Sequence, residues 1–105
     1  MIEVTDQAVE QIKKAAEQAK LNPKDFGIRV AVNRKNNGDF DYVMGFDEES
    51  EDDLVYRKKG VKTLAHPAYA EMLRGCVLDF VELEPGQFEF VFMNPNDPSY
   101  VPPKV

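Results

Sequence analysis

The sequence predicts an α+β fold, with one long N-terminal helix, one short helix and mainly antiparallel or mixed β-sheets in a compact sandwich. Two observations support this class. Apolar residues recur with helical spacing near the N-terminus, and from residue 27 onward they alternate with polar ones. Residues of turn type, mostly Gly, Pro and Asn, separate the alternating runs. A chain of 105 residues is the size of one domain.

The long helix is predicted to begin after a short extended segment, residues 2–4. Thr5 is a suitable N-cap, and Asp6 lies in the first turn, where a negative charge is favourable. We expect the helix to end near residues 20–21, because Pro23 biases the preceding residue away from helical geometry. Its buried stripe is predicted to contain Ala8, Ile12, Ala15 and Ala19.

A β-hairpin is predicted to follow the helix. The first strand alternates from Gly27 to Asn33, and the second places Phe40, Tyr42, Met44 and Phe46 on one face. Asn37-Gly38 lies between them, and both residue types tolerate positive φ, as tight hairpin turns require.

The rest of the chain is predicted to contain four more strands and the short helix. Two strands flank the turn at residues 58–60, and a helix over residues 67–74 starts with Pro67 and is closed by Gly75. Two further strands are joined by a type II turn at residues 84–87. We expect the aromatic face of the last strand to belong to the core; it consists of Phe88, Phe90 and Phe92.

Two segments are predicted to be solvated. Residues 47–53 carry six carboxylates in seven positions, which is typical of a hydrated connection, and they lack the glycine and ligand spacing of a calcium loop. Residues 98–105 include Pro102-Pro103 and are predicted to form a flexible tail after a domain spanning residues 1–97.

Charge and composition restrict the classes of partner. The net charge is −6, so neither the phosphates of nucleic acid nor an anionic membrane would attract the chain. No apolar run reaches membrane length, and the N-terminus lacks the order of a signal peptide. A single cysteine fits a reducing compartment. We therefore expect a cytoplasmic protein with a protein partner.

No catalytic group can be assigned. Cys76 is the only cysteine, and it lies between a glycine and an apolar strand, where cysteine usually packs as a small hydrophobe. His66 is the only histidine, and it precedes Pro67, where it is expected to cap the short helix or face water. One cysteine and one histidine cannot form a zinc site alone. With no acid–base pair to name, we predict that the chain is not an enzyme.

Several stretches, in their order and spacing, resemble the A-type iron–sulfur carrier family, also called HesB/IscA-like. The resemblance reaches from the N-terminus to about Asp97. The stretches are residues 2–5, 27–32, Tyr42 with 46–47, 52–56, 59–62, 73–75, 77–81, 88–92 and 94–96.

This resemblance implies a HesB-like fold but not the family's chemistry. In that family, three cysteines hold iron or a cluster. Their positions correspond here to Asn37, Val101 and Pro103, none of which is a cysteine. Cluster iron is usually held by four thiolates, and even two copies of this chain supply only two. We expect no cofactor, and a monomer, because the cluster-based reason to associate is absent.

The resemblance therefore implies an interaction or regulatory protein. Among members without the cysteines, the overall pattern is similar to one encoded with a dissimilatory sulfur-oxidation system, which suggests a role in sulfur metabolism. We expect contact with a partner at the β-hairpin and the adjacent tail, because loops on a rigid scaffold carry most binding. The candidate contact residues are Arg34, Lys35, Asn36, Asn37, Asp39 and Tyr100.

An alternative interpretation is that the chain still binds a metal ion, through carboxylates instead of thiolates. Asp39 and Asp41 flank Phe40 on one strand; they are either the wet face of the hairpin or, with Asp97, carboxylate ligands for ferrous iron. In that case the chain would be a mononuclear iron carrier or an accessory protein of iron–sulfur assembly.

Overall fold

The computed structural model describes residues 2–100 and contains two sheets and two helices. In chain order the elements are β1 (Glu3–Val4), α1 (Asp6–Gln18), β2 (Phe26–Arg34), β3 (Phe40–Glu48), β4 (Leu54–Lys58), β5 (Val61–Ala65), a 3-10 turn (Pro67–Tyr69) that leads into α2 (Ala70–Leu73), β6 (Val77–Glu84) and β7 (Gln87–Met93). The predicted α+β class and element order are confirmed.

The sheets are mixed in strand direction. One has the order β1-β6-β7 and the other β3-β2-β5-β4. The chain-adjacent pairs β2–β3, β4–β5 and β6–β7 are antiparallel, whereas β1–β6 and β2–β5 are parallel. Helix α1 packs against β6 of the first sheet and β5 of the second, and so joins them. The core lies beneath it and includes Val9, Val30 and Leu78.

Helix α1 begins as predicted but ends earlier. The Thr5 hydroxyl accepts a hydrogen bond from the N–H of Ala8 at 3.2 Å. The helix stops at Gln18 rather than near residues 20–21. Lys20 has φ +58°, and the N–H groups of Lys20 and Leu21 bond back to the carbonyls of Glu17 and Ala16. This pair of bonds is a Schellman cap, so a left-handed lysine ends the helix before Pro23 can act.

The tight turns follow the predicted chemistry. Between β4 and β5, Lys59 and Gly60 both have positive φ, as a two-residue type I′ hairpin requires. Between β6 and β7, Gly86 has φ +81° at the third position of the turn, as a type II turn requires. The predicted short helix is a 3-10 turn followed by one α turn, and Gly75 ends it with φ +76°.

The acidic stretch is not fully solvated, which corrects the prediction. The Arg29 guanidinium donates to both carboxylate oxygens of Asp53, at 2.7 and 2.6 Å, and to Asp47 at 2.6 Å. The Asp53 side chain is only 1% exposed. Hydrogen bonds from Arg29 hold the pKa of Asp53 far below its usual value. An arginine on β2 therefore ties both ends of this loop to the sheet.

The aromatic face of β7 is only partly in the core, which corrects a second prediction. Phe90 and Phe92 are half-buried and pack against the core, but Phe88 is 55% exposed. Phe88 is the second residue of β7 and lines an open cleft beside α1, so its ring stays partly in solvent. The alternation of the strand predicts which face Phe88 is on but not where the core stops.

Neither helix in the described part of the chain has the length and apolar character that crossing a bilayer requires.

Candidate functional site

The loop between β2 and β3 is a compact three-residue turn. The N–H of Lys35 donates to the carbonyl of Asp39 at 2.7 Å, and the N–H of Gly38 donates to the carbonyl of Lys35 at 2.9 Å. Gly38 has φ +93°, and Asn37 is not left-handed. The predicted hairpin is thus confirmed, but its turn uses one left-handed residue rather than an Asn-Gly pair.

Asn37 is occupied within the turn. Its side-chain oxygen accepts a hydrogen bond from the N–H of Asp39 at 3.0 Å, and its amide donates to the Asp39 carboxylate at 3.1 Å. A neutral amide has no lone-pair donor comparable to a thiolate for soft metal centres. At Asn37, the position predicted to have lost a cysteine, the residue therefore stabilises the turn.

A buried carboxylate joins this hairpin to the end of the described chain. Asp97 accepts hydrogen bonds from the N–H of Phe40 at 3.3 Å and from the hydroxyl of Tyr42 at 3.0 Å. It also accepts from the N–H and hydroxyl of Ser99, at 3.0 and 2.8 Å. We call Phe40, Tyr42, Asp97 and Ser99 the Asp97 cluster. It fixes the C-terminal turn against the first residues of β3.

The Asp97 cluster is electrostatically satisfied. Burial opposes ionisation of Asp97, but the hydrogen bonds from Ser99, Tyr42 and Phe40 outweigh it and hold the pKa of this carboxyl below its usual value. Burial raises the pKa of Tyr42 well above its ordinary value, so the hydroxyl stays protonated and donates. The Tyr42 ring stacks on Phe92 with centroids 4.4 Å apart, which links the two sheets at this point.

Two asparagines attach the same C-terminal segment to α2. Asn94 is fully buried and donates to the carbonyl of Met72 at 2.6 Å. Asn96 donates to the carbonyls of Met72 and Arg74, at 3.2 and 2.6 Å. These bonds satisfy the free carbonyls at the end of a helix. The segment up to residue 97 is thus held to the body from two sides, at α2 and at the β2–β3 hairpin.

The predicted contact residues lie at one end of the molecule. Arg34, Lys35, Asn36 and Asn37 are exposed on the hairpin, and Asp39 is half-buried. The Arg34 guanidinium lies over the Phe40 ring, 5.3 Å from its centroid. Tyr100 is half-buried and bonds through its N–H to the carbonyl of Asp97 at 2.9 Å. The hairpin and the chain end therefore form one surface, which we call the hairpin surface.

The predicted tail, residues 98–105, lies largely outside the residues that the structure describes. Residues 98–100 continue the turn that Asp97 begins, while Val101 and Pro103, the other two predicted former ligand positions, lie outside the described residues.

The only thiol of the chain is inaccessible. Cys76 has no exposed surface and sits where the chain enters β6, among the core residues. Burial raises the pKa of Cys76 to about 12. Since the thiolate is the metal ligand and the nucleophile, this cysteine is inert in the folded protein. The expectation of a small packed hydrophobe is confirmed.

The other candidate ligands are separate from one another. Within residues 2–100, no three side chains of His, Cys, Asp or Glu come close enough together to hold a metal ion. Both carboxylate oxygens of Asp97 accept hydrogen bonds within the Asp97 cluster, and Asp41 is exposed on β3. His66 caps the 3-10 turn by accepting from the N–H of Ala68 at 3.0 Å. The donors present do not fit an iron–sulfur cluster.

Sequence reasoning missed two structural roles at this end of the fold. It placed Asp97 in a turn-rich stretch and considered it as a metal ligand, although Asp97 is also the hydrogen-bond centre of the hairpin surface. It included Asn94 and Asn96 in the same stretch and in the family resemblance, although they also hold the end of the described chain to α2. An Asn-Pro-Asn-Asp run after a strand is a turn signal, but its bonding partners are distant in sequence.

Comparisons with known proteins agree on the family. The sequence profile described as iron-sulphur cluster biosynthesis matches residues 1–99. Iron-sulfur cluster insertion protein ErpA 2 of Methylococcus capsulatus is 36% identical over 97 residues, which are 90% of this chain and 72% of that protein.

Solved structures share the fold. The crystal structure of IscA with a 2Fe-2S cluster superposes with a TM-score of 0.75 at 25% identity, covering 90% of this chain and 86% of the other. Escherichia coli SufA, involved in biosynthesis of iron-sulfur clusters, gives a TM-score of 0.73 at 27% identity, covering 90% and 80%. The chain therefore belongs to the iron-sulphur cluster biosynthesis family, whose members include IscA- and ErpA-like carriers.

Proposed function

We propose that this chain is a non-enzymatic member of the carrier family that holds no cluster and acts by binding a protein partner. One observation carries the proposal: its single thiol is buried, with a pKa raised to about 12, and no second cysteine exists in the sequence. A cluster needs several accessible thiolates. Two copies would bring together two inert thiols, so association does not repair the deficit.

The contact we propose is the hairpin surface. The Asp97 cluster holds this surface in one geometry, so its binding residues need little ordering when a partner arrives. Arg34 and Lys35 provide two exposed cations at its tip, in a chain of net charge −6. Such a tip suits an acidic site on the partner. Location in the cytoplasm and a monomeric state remain predictions from the sequence.

Affinity capture from an extract of the native organism tests this contact. The double variant R34E/K35E should lose the specific partner. The double variant K20E/K24E, at two exposed lysines after α1, should retain it, because it changes net charge equally at another site. A partner that survives R34E/K35E would place the contact elsewhere.

We further propose that the chain acts in sulfur metabolism. It is supported by the sequence resemblance to cysteine-free members encoded with sulfur-oxidation systems. Deleting the coding sequence should change the rate of sulfur-compound oxidation while leaving the activity of iron–sulfur enzymes intact. Loss of several iron–sulfur activities with normal sulfur oxidation would reverse the assignment.

The mononuclear iron carrier is the second candidate. It is favoured only by the presence of carboxylates on and near the hairpin. Asp39 already bonds to Asn37, and Asp97 already accepts from four donors, so a metal ion would compete with these bonds. Anaerobic titration with ferrous iron, followed by calorimetry, decides between the two. We expect no saturable binding; tight binding that is lost in the double variant D39N/D41N would favour the iron carrier.

A further inference from the structure

The β6–β7 hairpin carries an aromatic row that runs from the core into solvent. Register places Leu78 opposite Phe92, Phe80 opposite Phe90, and Glu82 opposite Phe88, so these residues share one face. Leu78 is fully buried, Phe80 and Phe90 are half-buried, and Phe88 is 55% exposed. The apolar row thus continues beyond the point where the core ends.

This row forms one wall of an open cleft. The first turns of α1 form the opposite wall, and the space between them is about 480 Å³. Phe80 stacks with Phe88 at a centroid distance of 5.8 Å and contacts Phe90 at 4.8 Å. The aromatic wall is therefore a continuous surface, and exposed Glu10 faces it from the helix.

Strand β7 also has an unpaired edge. In the sheet β1-β6-β7 it is hydrogen-bonded to β6 on one side, and no strand of the described chain lies on the other. Seven residues, Gln87–Met93, thus offer backbone donors and acceptors next to the aromatic wall. Such an edge accepts an added strand, with backbone bonds for affinity and side-chain contacts for selectivity.

The charge around this edge is of one sign. Every ionisable side chain from residue 77 to residue 100, tyrosine aside, is a carboxylate. Asp79 and Asp97 are committed to internal hydrogen bonds, whereas Glu84 and Glu89 are exposed on the hairpin. Among residues 2–100, Lys14 is the only cation that lines the cleft.

We propose that the cleft and the β7 edge together bind an extended peptide segment of a partner in which Arg or Lys alternates with apolar residues. The segment adds to β7 as an edge strand. Its apolar side chains cover Phe88, and its cations, which alternate to the other face, meet Glu84 and Glu89. This surface is separate from the hairpin surface, and the inference goes beyond the proposed function without depending on it.

A second copy of the chain fits this edge less well than a basic segment. Pairing two β7 edges would bring a second set of the same carboxylates close to Glu84 and Glu89. Like charges placed together across an interface oppose association. The acidic character therefore selects an occupant of opposite charge.

The test uses two synthetic peptides and the full chain. The basic probe is acetyl-Lys-Val-Arg-Phe-Lys-Val-Arg-amide, and the control has Glu at each cationic position. Titrations followed by calorimetry and by amide chemical shifts should show saturable binding of the basic probe alone. Shifts should concentrate in β7 and the first half of α1, and affinity should fall as salt is added.

Three variants locate the site. Phe88→Ser and the double variant E84K/E89K should each weaken binding by about tenfold or more, because one removes the apolar anchor and the other reverses the charge. Glu84, Phe88 and Glu89 are all exposed, so we expect these variants to keep the fold. Val43→Ser, at a similarly exposed apolar residue on β3, should leave the affinity unchanged.

Several results would overturn the proposal. These are equal binding of both peptides, no saturable binding of the basic probe, or shifts confined to the hairpin surface. Self-association in sedimentation that Phe88→Ser abolishes would show that a second copy covers the edge instead. Failure of the hairpin-surface capture experiment would leave this inference intact, because different residues are changed.

Discussion

Replacing Asp97 by alanine should detach the C-terminal turn from the β2–β3 hairpin and lower the free energy of unfolding. The two Ser99 donors are exposed and can turn to water. The N–H of Phe40 is buried and the hydroxyl of Tyr42 is part-buried, and both lose this acceptor. A buried donor without a partner costs about 1–3 kcal/mol, and the part-buried hydroxyl should cost about 1 kcal/mol, so the two together should cost about 2–4 kcal/mol.

Urea unfolding measures this loss, with Asp97→Asn and Asp41→Ala as matched variants. Asp97→Asn keeps a side-chain acceptor and should cost about 1 kcal/mol. Asp41 is an exposed carboxylate on the same strand, so its removal should change stability by less than about 0.5 kcal/mol. Faster amide exchange at Phe40 should accompany Asp97→Ala alone. If Asp97→Ala costs no more than Asp41→Ala, the Asp97 cluster does not hold this end together.

Three further predictions concern charge, the thiol and the turn. Arg29→Ala should cost about 3 kcal/mol in urea unfolding, because it leaves the buried Asp53 carboxylate unpaired. The lowered pKa of Asp53 means that the stabilisation from this pair is complete above about pH 4 and lost as pH falls further, so Arg29→Ala should flatten the acid limb of the stability profile. Cys76 should react with a thiol reagent only as fast as the protein unfolds, and rapid labelling of native protein would contradict its burial. Gly38→Ala should cost about 1 kcal/mol because φ is +93°, whereas Gly45→Ala, with open space around it and ordinary φ, should be close to neutral.

The parts of the fold that sequence predicts are those that local chemistry determines. The Thr5 cap, the left-handed Gly60 and Gly86, and the alternation of β3 each depend on a few neighbouring residues. Such signals act within one turn or one strand, so they can be read without knowing the rest of the chain.

The features that sequence reasoning missed depend on distant pairs. Asp53 looks like one carboxylate of a solvated run until Arg29, 24 positions away, is placed beside it. Asp97 looks like a turn residue until Phe40, 57 positions away, donates to it. Phe88 alternates correctly, but its exposure depends on how closely the distant helix α1 packs against the β6–β7 hairpin. The family resemblance predicted which positions had lost a metal ligand. The structure shows the hydrogen bonds that Asn37, one of these positions, and Asp97 make.

Anaerobic reconstitution with ferrous iron and sulfide tests the central claim most directly. After desalting, we expect the chain to be colourless, with iron and sulfide at the level of the buffer and an absorption spectrum of aromatic residues only. The triple variant N37C/V101C/P103C, which places thiols at the three predicted ligand positions, should serve as a matched control that becomes coloured under the same conditions. Stoichiometric iron and sulfide bound to the unmodified chain, with visible charge-transfer absorption, would contradict the claim that it carries no cluster.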